Sequence, residues 1–111
     1  MKESRPSKIC ILADYGIAYA WDENNTCIGL DYNFPDIPEV KEIEKELEEW
    51  AAWFGTAEDN DPNFPWDEFN SKGRSLAARL YNAIKHTGVE VYYERAFEDP
   101  QGKSRKPEKT G

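Results

Sequence analysis

Pro38-Glu39-Val40-Lys41-Glu42-Ile43-Glu44-Lys45-Glu46-Leu47-Glu48-Glu49-Trp50-Ala51-Ala52-Trp53-Phe54, between Asp36 and Gly55, is the stretch that organises this chain. Val40, Ile43, Leu47, Trp50, Ala51 and Phe54 recur at helical spacing and make one apolar stripe, which predicts a long amphipathic helix from about Ile37 or Pro38 to Phe54. Asp36 is its candidate cap. Pro38 suits the first turn, where its missing N–H would find no partner anyway, and Gly55 suits the stop.

Working outward, a second helix is expected to begin at Asn63 or a neighbour, with Pro65 early and Asp67 and Glu68 near its positive end. Its buried stripe reads Phe69, Gly73, Leu76, Leu80 and Ile84, with Gly73 as a packing notch that costs about 1 kcal/mol in helix propensity. Gly88 ends it. Before the helices, Ile9 to Ala13 is apolar on both alternating faces, the pattern of a central strand covered on two sides or of a strand deep in a small sheet. Ile17 to Trp21 and Thr26 to Leu30 flank the turn-rich Asp22–Asn25 and allow a short hairpin. After the helices, Val89, Val91, Tyr93 and Phe97 alternate with Glu90, Tyr92 and Glu94, a strand with one packed face and one wet face. The expected fold is therefore α+β: a small sheet built from the N-terminal strand, the hairpin and the C-terminal strand, packed against two long helices. Residues 1–98 form one domain in this reading, and residues 99–111, rich in Pro, Gly, Ser, Lys and Arg, form a disordered basic tail.

Charge is distributed unevenly. Between Lys8 and Glu68 stand sixteen acidic residues against three basic ones, a formal charge of −13, whereas residues 69–111 carry +4. A one-sign surface steers oppositely charged molecules and repels nucleic acid and anionic lipid, so the expected partner is basic. The polar start Met1 to Lys8 and the absence of any long apolar run point to a cytoplasmic chain with no membrane contact. Cys10 and Cys27 read as buried reduced thiols.

Catalytic signals are sparse. His86, the only histidine, sits where an imidazole favours a helix's negative end. No phosphate loop, nucleophile elbow or metal-ligand spacing occurs, and Asp59-Asn60-Asp61 lacks the Gly and Glu that a calcium loop needs at later offsets. No cofactor, metal or enzymatic activity is expected. A carboxylate pair working as a small enzyme is the weaker alternative.

The first helix says more. Glu42, Glu46, Glu49 and Trp53 are spaced four, three and four apart and line up beside the buried stripe. Like charges at this spacing cost a few tenths of a kcal/mol per pair unless cations answer them. Such a row with an off-stripe tryptophan reads as a binding surface, because Trp is a frequent anchor and carboxylates steer and form charge-assisted hydrogen bonds. Asp22, Glu23, Asp59 and Asp61 complete the expected partner-binding set as its rim, and Glu58, Asp67 and Glu68 extend the acidic field.

Four pieces carry a family resemblance: Ala13-Asp14-Tyr15-Gly16 after the first strand, Trp21-Asp22 at the polar turn, the Trp-rich acidic Leu47–Phe54, and Phe69-Asn70-Ser71-Lys72-Gly73-Arg74-Ser75-Leu76-Ala77-Ala78-Arg79-Leu80. Over about residues 9–97 the chain resembles the immunity proteins of bacterial contact-dependent growth inhibition and related polymorphic-toxin systems. That resemblance implies binding and neutralising a cognate toxin, commonly a nuclease. Joined to the acidic surface, it yields the expectation of a toxin inhibitor whose carboxylates occlude a basic substrate site on a nuclease such as an RNase or tRNase. The alternative is a DNA mimic that blocks a host DNA-binding protein. Within the motifs, Arg74 reads as a structural guanidinium, with Asp14 or Asp22 as candidate partner.

Overall fold

The computed structural model describes residues 6–14, 16–57, 63–96, 99 and 107–110. The described residues form, in order, β1 (Lys8–Asp14), β2 (Ala18–Trp21), the one-turn α1 (Leu30–Asn33), α2 (Pro38–Phe54), α3 (Trp66–Ile84), a 3-10 turn (Lys85–Thr87), β3 (Glu90–Tyr93) and β4 (Glu108–Thr110). The strands form one mixed sheet in the order β2-β1-β3-β4, in which β1 is antiparallel to β2 but parallel to β3, and β4 is antiparallel to β3. The fold is a small α+β sandwich of one sheet and a helical pair. A parallel neighbour needs a crossover, and α2 and α3 are that crossover.

The register explains the apolar run of β1. Ile9, Ile11 and Ala13 face the helices and are buried in the main core, while Cys10 pairs with Trp21 on one side and Tyr92 on the other, on the opposite face. Trp21 lies over that second face and donates its indole N–H to the Leu12 carbonyl at 2.9 Å. Both faces of β1 are thus covered, which is why Ile9–Ala13 carries no charged side chain and Lys8 and Asp14 stand only at its ends.

Every stripe residue expected of α2 and α3 is buried. Trp50 lies nearly flat on Phe69, ring centroids 4.6 Å apart, and donates its indole N–H to the Phe69 carbonyl at 2.9 Å, so one side chain joins the two helices by stacking and by hydrogen bond. Gly73 makes room for this. A Cβ there would stand 2.5 Å from a ring carbon of Trp50 and 2.5 Å from one of Tyr93. Beside it, the buried Tyr93 hydroxyl donates to Asn70 Oδ1, Asn70 Nδ2 donates to Asp99 at 3.0 Å, and Arg95 pairs with the same carboxylate oxygen at 3.1 Å. Burial holds the Tyr93 hydroxyl protonated, its pKa raised above the ordinary range, and so keeps it a donor.

Several expectations change. α2 is capped by Ile37 without a side-chain hydrogen bond, not by Asp36, and α3 begins at Trp66, after a turn at Asn63 and Phe64. Only a Trp21–Cys27 bridge joins the arms around Asp22–Asn25; the true hairpin is β1–β2, whose connection holds Gly16 and Ile17 at φ 84° and 58°. Cys10 is buried as expected, but Cys27 is exposed. Glu108–Thr110 belong to the sheet and not to a disordered tail, because Glu108 accepts two hydrogen bonds from Arg74, at 2.9 and 3.0 Å, and fastens β4 to α3. Arg74 therefore pairs with Glu108 rather than with Asp14 or Asp22. β3, expected to run from Val89 to Phe97, ends at Tyr93, and Phe97 lies outside the described residues. No helix among the described residues is long and apolar enough to cross a membrane.

One internal carboxylate replaces a missing cap. Glu44 on α2 accepts the backbone N–H groups of Leu30 and Asp31 at 2.7 and 2.8 Å and the Tyr19 hydroxyl at 2.6 Å, tying α1, α2 and β2 together. Burial and this bond raise the Tyr19 pKa well above the ordinary phenol range.

Gly73→Ala should lower stability by about 2 kcal/mol despite the gain of about 1 kcal/mol in helix propensity, since two buried rings would have to move; urea unfolding measures it. Glu44→Ala should cost about 2 kcal/mol in the same experiment, because the N–H of fully buried Leu30 loses its acceptor.

Candidate partner-binding groove

The wet side of the helical pair is a trough. α2 and α3 run antiparallel along it, since Glu39 and Glu42 share one end with Arg79, Asn82 and Ala83, while Glu49 and Trp53 share the other with Asp67, Glu68 and Ser71. The first basin encloses about 380 Å³ and the second about 760 Å³. Glu46 stands between them and reaches across the trough. Its carboxylate lies 2.9 Å from Arg79 and 3.4 Å from Lys72, and these hydrogen bonds hold it below the usual carboxylate range.

The larger basin has an aromatic floor. Trp50 is sealed beneath it, and half-buried Trp53 packs edge-on to Phe69 at 5.3 Å and tilted to Phe64 at 5.5 Å. Trp53 falls beside the stripe, and the ring cluster of the α3 N-terminus holds it at the surface of the core. Around this floor stand Glu46, Glu49, Asp67 and Glu68, against Lys72 as the one cation among the described lining residues. Among the described residues no ion pair reaches Glu49, Asp67 or Glu68. The position of Asp67 and Glu68 has a structural cause as well, since carboxylates in a first helical turn complement the helix dipole.

The expected row is therefore brought together on one trough, but it is not uncompensated. Glu42 lines the first basin, Glu46 is neutralised by α3, and Glu49 and Trp53 line the second. Asp22 and Glu23 lie elsewhere and line neither basin. Asp22 accepts the N–H groups of Asn24 and Thr26, both at 2.9 Å, and Glu23 accepts that of Ser7 at 3.1 Å, because turn N–H groups lack strand partners. Asp59 and Asp61 lie outside the described residues. Ser71, Lys72 and Ser75, which the sequence offers only as part of the α3 motif and not as site residues, also line the second basin; their signal is spacing, since 68, 71, 72, 75 and 79 share one face of α3 beside its stripe.

A second, smaller hollow of about 200 Å³ lies on the far face of the sheet, lined by Cys10, Leu12, Asp14, Trp21, Asn25 and Glu94. Burial, with the Glu94 carboxylate 3.6 Å from the sulfur, pushes the Cys10 thiol up to about 12, so it stays protonated at neutral pH and is a poor nucleophile. No group of three His, Cys, Asp or Glu among the described residues is placed to hold a metal. No protein-family model matches the chain, and no curated protein or solved structure is significantly similar to it.

Glu46→Gln should cost on the order of 0.5 kcal/mol at pH 7, as expected for a pair largely open to water. A carboxyl whose folded pKa is depressed contributes above its unfolded pKa, and that contribution fades as pH falls through the folded value. The stability difference between wild type and variant should thus shrink progressively as pH falls from neutral through the folded value, as read by denaturant titration across the acid range.

Proposed function

We propose that this protein is an inhibitor of the immunity type, which captures a basic toxin domain, most simply a nuclease, on the α2–α3 trough and excludes its nucleic-acid substrate. The observation that carries this reading is the meeting of Glu49, Asp67 and Glu68, free of internal ion pairs among the described residues, over the Trp53 floor. Nuclease sites are cationic because they bind phosphates, so carboxylates placed in a trough share the electrostatic demands of that substrate. An aromatic anchor inside a polar rim is also the arrangement in which binding energy concentrates. The negative charge of residues 8–68 adds long-range steering, which raises association toward about 10⁸–10⁹ M⁻¹s⁻¹ at low salt.

The roles within the trough differ. Glu49, Glu68 and Asp67 supply attraction and hydrogen-bond acceptors, Trp53 supplies buried area on binding, and Glu46 holds the helices at their spacing. Asp22 and Glu23 act as turn acceptors and contribute only to the far field.

The test is association with the product of the neighbouring gene and protection of RNA from it. With such a partner, Trp53→Ala should speed dissociation about 30-fold, equivalent to about 2 kcal/mol, whereas Glu49→Gln should mainly slow association at low salt, both read by surface plasmon resonance. Recovery of a host DNA-binding protein instead, displaced by duplex DNA, would replace this reading by the DNA-mimic one. An unchanged dissociation rate in Trp53→Ala would remove the groove from the interface.

A further inference from the structure

We propose that the larger basin of the trough is a receptor for an arginine side chain presented by the partner, with the guanidinium lying against Trp53 and forked between the carboxylates of Glu49, Asp67 and Glu68. The proposal rests on the inhibitor reading above and names the occupant of its site. The basin combines an aromatic floor with a carboxylate rim, and its own cation, Lys72, is drawn to Glu46 at the border, 3.4 Å away. Any carboxylate ring attracts both lysine and arginine. A flat aromatic surface beside it favours arginine, whose planar, weakly hydrated guanidinium stacks on rings and presents five N–H donors in a rigid fork, whereas an ammonium is a strongly hydrated point charge. The hydroxyls of Ser71 and Ser75 supply further acceptors for donors that the carboxylates leave over.

The same helix already shows this arrangement filled. Arg74 holds its guanidinium 5.4 Å above the Tyr93 ring while its Nε and Nη2 donate to the two oxygens of Glu108 at 2.9 and 3.0 Å. In the larger basin the ring and the carboxylates of Glu49, Asp67 and Glu68 are present, and no described residue brings a guanidinium to them, Arg79 being held by Glu46 at the border. Charge complementarity therefore selects a cation, and the ring selects its shape.

The test uses the full chain and two capped peptides, hexa-arginine and hexa-lysine, titrated calorimetrically at about 0.15 M salt, where distant charges are largely screened. Wild type should bind hexa-arginine about fivefold more tightly than hexa-lysine, the scale of one stacking contact. Glu68→Gln should reduce that preference, Glu48→Gln, which removes an equal charge outside this basin, should preserve it, and Trp53→Leu should bring the two peptides within about twofold of each other. Equal affinities in wild type, a preference lost as readily in Glu48→Gln as in Glu68→Gln, or a preference retained by a folded Trp53→Leu would each overturn the proposal. Because no toxin enters the experiment, such a failure leaves capture of a basic partner by charge alone untouched, and absence of a toxin partner leaves the peptide result standing.

Discussion

The seat of the structure is the place where α3 has no side chain. Gly73 lets the Trp50 ring of α2 and the Tyr93 ring of β3 approach one spot on the α3 backbone, closer than any Cβ would allow. Two helices and the sheet meet there, and the Trp50 hydrogen bond to the Phe69 carbonyl fixes their angle. The spacing of α2 and α3 in turn sets the width of the trough. Trp53 is held at its surface by Phe64 and Phe69, which belong to the same aromatic cluster. Core and candidate site thus share one wall.

Charge serves two purposes in this small molecule. Glu44 is spent inside, as acceptor for a helix start and a tyrosine, and Glu108 and Glu46 are spent on bridges that hold β4 and α3 in place. Asp22 and Glu23 complete a turn and its neighbour. What remains outward on the trough is a smaller set than composition alone suggests, but a concentrated one. It is the distribution of these roles, more than the formal charge, that marks the larger basin.

The helical stripes and the central strand were legible in the sequence because helix and strand periodicities place apolar residues in distinct patterns, and Gly73 stood out as a gap in a stripe. The row Glu42, Glu46, Glu49 and Trp53 was equally legible as one face of α2. What periodicity could not convey was pairing between elements. Lys72 and Arg79 answer Glu46 from another helix, and nothing local to α2 announces them. Strand β4 was hidden for a related reason: its three residues are polar and hold their place by main-chain bonds and the Arg74–Glu108 fork, neither of which leaves an apolar pattern. α1 is too short to show a period, and its N-terminus depends on Glu44, fourteen residues beyond Leu30.

The parallel pairing of β1 with β3 has a consequence for biosynthesis. Lys8–Ile11 find their Glu90–Tyr93 neighbours only after both long helices have been made. On the ribosome, the nascent chain therefore carries β1 with one edge joined to β2 and the other unsatisfied for most of its elongation, a state in which a chaperone would find an apolar strand to hold. Closure of the sheet centre thus joins strands far apart in the chain, the kind of non-local pairing that forms more slowly than either helix.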